Sequence, residues 1–101
     1  MLTVPIDKNT PITSKNLSEH PELFAVFDLS ENEFWRMYDL GVLAALNKHY
    51  HLMLDDFEEG RITEDLDFVF SEAEKVKDDC STFYEAARTA VEYDTLIDFE
   101  L

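Results

Sequence analysis

The sequence predicts a mainly α protein, a compact bundle of four to five short helices with a minor terminal β element. Three observations carry this. The 101 residues are 46% apolar and 13% aromatic, with only two Gly and three Pro, a globular composition poor in breakers. Between residues 31 and 91, apolar side chains recur at helical spacing in successive stretches set off by capping or breaking residues. Short β-prone runs lie at the two ends, LTVPI and TLIDFEL.

The length suits one domain spanning 1–101, too short for two proper cores. Residues 1–16 read as an extended arm or edge strand followed by a loop. Pro5 lies inside LTVPI, and proline is confined to edges because it cannot donate to a ladder. Lys8 to Asn16 is polar and reads as loop, and Leu17 to His20 reads as a turn ended by Pro21. Glu22 to Leu29 admits helix or strand. A short helix is favoured, because Pro21 suits a first turn.

Ser30 with Glu33 forms a capping-box pattern for a helix over Glu31–Leu40. Phe34, Trp35 and Tyr38 share one side of it and are expected in the core. Gly41 then suits a positive-φ position after the helix end. Val42, Ala45, Leu46, His49, Tyr50 and Met53 make one apolar face, on a helix ending near His49 to His51. Leu52 to Asp56 reads as a connection, and Phe57 to Arg61 as a single turn stopped at Gly60. Thr63 is the expected cap of the next helix, with Glu64 and Asp65 in its first turn. Leu66, Val69, Phe70, Ala73 and Val76 are its stripe, with Lys75 and Lys77 at its end. Asp79 or Ser81 caps a last helix, with Phe83, Ala87, Ala90 and Val91 facing inward. TLIDFEL is short, alternates imperfectly, and could pair with LTVPI.

The formal net charge is −15. Such a field disfavours nucleic acid and anionic membrane surfaces and asks for a cationic partner. It is uneven: residues 55–101 hold sixteen acids against four Lys and Arg, whereas residues 1–54 hold seven against four. Asp55, Asp56, Glu58, Glu59, Glu64, Asp65 and Asp67 place seven carboxylates within thirteen positions. Leu52, Leu54, Phe57, Ile62 and Leu66 run through the same stretch, so the acid is expected on a folded surface. The N-terminus shows no secretory pattern and no run approaches a membrane span, which makes the cytoplasm the expected location. Cys80 alone cannot form an intramolecular disulfide.

Chemistry finds little support. Aligned on Gly60, a calcium loop would take Asp55 at its first position, but Phe57 and Leu66 fall where ligands belong. His49 and His51 lack the i, i+4 spacing of zinc helices. His49 is expected as a hydrogen-bonded core histidine, and His51 beside Asp55. Cys80 follows two aspartates that raise a thiol's pKa, so it is expected as a small hydrophobe. No phosphate loop or nucleophile elbow exists. The expectation is no catalytic residues, no metal and no cofactor.

The run FWRMYDLGVLAALNKHYHLMLDDFEEGRI resembles segments of small bacterial immunity proteins. These neutralise toxin domains of contact-dependent growth inhibition and related polymorphic toxin systems. Phe34, Trp35, Tyr38, Leu40, Gly41, Leu46, Asn47, Leu52, Asp55, Asp56, Phe57, Glu58, Glu59 and Ile62 carry the similarity, over about a third of the chain. The resemblance implies a small, acidic, α-rich, cytoplasmic, non-enzymatic protein whose partner is a cognate toxin. The binding residues come instead from the charge argument: Asp55, Asp56, Phe57, Glu58, Glu59, Glu64, Asp65 and Asp67, with Tyr50 adding contact area. An acidic surface with apolar anchors can enter the basic cleft of a nuclease, which grips phosphates. Two other readings use the same charge: a nucleic-acid mimic that inhibits a host restriction or defence enzyme, and a structural interaction domain.

Overall fold

The computed structural model describes residues 1–54 and 59–101. In chain order the elements are β1 (Leu2–Pro5), α1 (Ser14–Glu19), β2 (Phe24–Phe27), α2 (Glu31–Asp39), α3 (Val42–Tyr50), β3 (Glu59–Ile62), α4 (Leu66–Lys75), α5 (Ser81–Tyr93) and β4 (Ile97–Glu100). A single turn of 3-10 helix, Pro21–Leu23, precedes β2. The four strands form one antiparallel sheet in the order β2-β1-β4-β3. The architecture is therefore α+β, which corrects the expectation of a helical bundle with a minor β element.

LTVPI is an interior strand, not an arm or an edge. Leu2 to Pro5 pair with β2, while Leu2 and Thr3 also pair with β4. Pro5 is tolerated because the second ladder stops before it. The Glu100 amide bonds to the Met1 carbonyl and the Ile6 amide to Leu23, so even-numbered residues of β1 face β2 and odd-numbered ones face β4. Pro5 would have to donate towards β4 and cannot. The Thr95 hydroxyl instead donates to the Pro5 carbonyl at 2.7 Å.

The predicted helix over Glu22–Leu29 is likewise replaced. Pro21 does start a helical turn, but it lasts three residues and yields to β2. Cross-strand pairing with β1 outweighs a weak local preference. Thr13 starts α1, its hydroxyl accepting the Asn16 amide at 3.0 Å, within what read as loop.

Leu2, Val4, Ile62, Ile97 and Phe99 line the inner face of the sheet. Against them lies α5, through Phe83, Ala86, Ala87 and Ala90. The three alanines carry little bulk, which lets the helix lie close to the strands. Val69 and Ala73 of α4, Val42, Leu43 and Leu46 of α3, and Phe34 and Met37 of α2 complete the core. The stripes predicted for α4 and α5 therefore face inward in the main, with Leu66, Phe70 and Val76 packed at the margin.

On α2 the inner face is Phe34 and Met37, while Trp35 (41% exposed) and Tyr38 (61%) point outward, against expectation. Met53 is also exposed. Gly41 has φ +80°, as its place after α2 required. No helix among the described residues is long and apolar enough to cross a membrane.

Candidate functional site

Asp55, Asp56, Phe57 and Glu58 lie outside the described residues, and so does any pairing of His51 with Asp55. The structure divides the remaining predicted residues between two surfaces.

Glu59 belongs to β3. The segment is strand from Glu59 onward, so Gly60 does not stop a helical turn or occupy the sharp bend of a calcium loop. It pairs with Phe99, and a Cβ there would meet the Leu54 side chain at 2.8 Å. Leu54 is held in place by Asn47. The Asn47 amide donates to the Leu54 carbonyl at 3.1 Å, and its oxygen accepts the Leu54 amide at 2.8 Å.

Alternation along β3 and β4 sends Ile62, Ile97 and Phe99 inward. Glu59, Arg61, Asp98 and Glu100 take the opposite parity and share the outer face. There Glu59 stands opposite Glu100, and Arg61 opposite Asp98. Arg61 Nε donates to Asp98 Oδ1 at 2.8 Å, and a second guanidinium nitrogen reaches the Ile12 carbonyl at 3.3 Å. That contact ties the segment before α1 to the outer face.

Glu64, Asp65 and Asp67 sit at the start of α4, around a pocket that Asp94 also lines. Thr63 does not cap the helix. Asp65 occupies that position with φ +50° and makes no side-chain cap bond, so only Asp67 lies in the first turn. The Asp65 carboxylate meets His49 instead: Nε2 is 2.6 Å from Oδ2, an ion pair when the imidazole is protonated. The His49 ring lies flat on Phe68, with centroids 3.7 Å apart. His49 is thus a surface side chain bridging α3 and α4, not a core histidine.

The Tyr50 hydroxyl donates to the Asp65 carbonyl at 2.5 Å. Burial, reinforced by the charges of Asp65 and Glu64, pushes its phenol up to about 12. Tyr50 therefore serves the α3–α4 junction before it can serve a partner. Cys80 is buried, and burial together with Glu33 and Asp79 pushes its thiol up to about 11, which removes it as a nucleophile at neutral pH. Among the described residues no three metal-ligating side chains gather.

Sequence reasoning missed Thr3, Asp94, Asp98 and Glu100 as members of these surfaces. The alternation in TLIDFEL already placed Asp98 and Glu100 on one face. Only the unrecognised strand β3 brings them to Glu59. Lys8 Nζ bonds Asp94 at 2.6 Å, so Asp94 is partly neutralised. No family model, curated protein or solved structure matches the chain.

Proposed function

We propose that the protein is a non-catalytic, cytoplasmic immunity protein that neutralises one cognate bacterial toxin, a basic domain of nuclease type. The observation that carries the reading is the excess of carboxylates over ion-pair partners among the described residues from Glu59 onward. Glu59 and Glu100 share the outer sheet face, and Glu64 and Asp67 flank Asp65 at the start of α4. Net charge −15 adds a long-range field that steers a basic protein, with association approaching about 10⁸–10⁹ M⁻¹s⁻¹ in the best-steered pairs. The similarity of residues 34–62 to immunity proteins supports the same reading. The exposed Trp35 and Tyr38, in edge-to-face contact at 5.7 Å, add an aromatic anchor of the kind enriched at interface hot spots.

The test is capture by the tagged chain of the product of the adjacent upstream gene. A single toxin bound at roughly nanomolar strength, with unrelated nucleases ignored, is the expected result. Competition with DNA or RNA on several enzymes would identify a nucleic-acid mimic instead. Failure to capture a toxin removes the reading.

A further inference from the structure

An open pocket of about 310 Å³ lies on the outer face of the sheet, under the segment that contains Ile12 and Leu17. Glu59 and Glu100 both line it. The Glu100 amide bonds to Met1, which turns its backbone groups away from β3. The Glu59–Glu100 pair is therefore of the non-hydrogen-bonded kind, which brings side chains closest. Like charges so placed destabilise a sheet. Neither carboxylate has an ion-pair partner among the described residues. Arg61 is adjacent, but it is committed to Asp98 and to the Ile12 carbonyl.

Thr3 supplies an independent observation. It is 3% exposed, lines the same pocket, and its hydroxyl makes no hydrogen bond among the described residues. No side-chain oxygen there is sealed from solvent without a partner. The small part of Thr3 left accessible therefore includes its hydroxyl, and Thr3 lines this pocket.

We propose that this pocket is a socket for a lysine side chain of a basic protein partner. An ammonium carries three donors on a compact charge; besides the Arg61–Asp98 pair, the pocket is lined by the carboxylates of Glu59 and Glu100 and by the hydroxyl residues Thr3, Thr13 and Ser14. Ile12 and Leu17 supply apolar surface for the aliphatic stem. A second copy of this chain, itself at −15, is a poor occupant. The inference rests on the reading that the partner is basic, but not on which toxin it is.

Tri-lysine titrated into the isotope-labelled full chain tests it. Saturable NMR shifts centred on Thr3, Gly60 and Glu100 are expected. Binding should weaken about tenfold in the Glu59→Gln, Glu100→Gln double variant, the scale of a lost charged contact. Thr3→Val, which keeps the buried shape, should weaken it by a smaller factor, and Glu92→Gln should leave it unchanged. Shifts spread evenly over the acids of α4 and α5, or reproduced by NaCl at equal ionic strength, overturn the socket. A response to tri-arginine that equals or exceeds that to tri-lysine overturns the lysine assignment. These results leave the immunity reading standing, because that reading falls when the separate capture experiment recovers no toxin.

Discussion

Glu33 lies three residues beyond Ser30, and the Ser30 hydroxyl accepts its amide at 3.1 Å. The reciprocal half of a capping box is absent. The Glu33 carboxylate instead accepts the amides of Thr82 and Phe83, at 3.3 and 2.8 Å. It thereby caps α5, where neither Asp79 nor Ser81 does and Cys80 holds the cap position. Removing it leaves two amides of a helix start without their anion. Glu33→Ala should therefore cost about 1–3 kcal/mol in urea unfolding, and Glu33→Gln less, since the amide oxygen can still accept. Tyr50 makes a second residue-scale prediction. Its phenol ionises near 10 when unfolded and near 12 when folded. A raised folded pKa contributes stability that is complete below the unfolded value and lost as pH climbs from 10 towards 12. Between those limits, unfolding free energy should fall less steeply in Tyr50→Phe than in the parent.

Local signals account for the helices that sequence reading recovers. The periodic stripes of α3, α4 and α5 span two or more turns each, and Gly41 marks a break that only positive φ explains. Strands β2 and β3 span four residues each and carry no such pattern. EGRI buries only Ile62 and exists as a strand because residues 97–100 pair with it. The candidate surface divides the same way. Glu59 stands out within an acidic run, whereas Glu100 and Thr3 join it only through the sheet. Gly60→Ala tests how tightly β3 is fitted. Its Cβ would press the end of the Leu54 side chain, which is flexible but anchored by Asn47. A loss of about 1 kcal/mol is expected, and Asn47→Ala should cost about 1–3 kcal/mol by freeing both Leu54 backbone groups. Chemical denaturation with an unchanged m-value checks both.

Across the whole molecule, 23 acids face 8 Lys and Arg. Most carboxylates therefore have no base to meet, and mutual repulsion outweighs the attraction of the pairs that form. Raising NaCl from about 0.05 to about 0.5 M shrinks the Debye length several-fold and should raise the melting temperature. A fall would show that the ion pairs carry more than the repulsion. The sheet makes a sharper demand. Deleting residues 97–101 removes an interior strand and leaves β3 with no neighbour. Circular dichroism should then show loss of cooperative melting, where a peripheral arm would be shed with little effect.

The interior position of β4 also sets a timetable. It is the last element in chain order, yet β3 pairs only with it and β1 meets it across about 95 residues. During synthesis β1 and β2 can find each other early, while β3 waits with its polar edge unmatched. The face that bears Glu59, Glu100 and Thr3 is assembled only when the final strand slides between its neighbours. A chain whose β4 has not yet paired thus cannot present that face to a partner, and readiness to bind becomes a report that the sheet is closed.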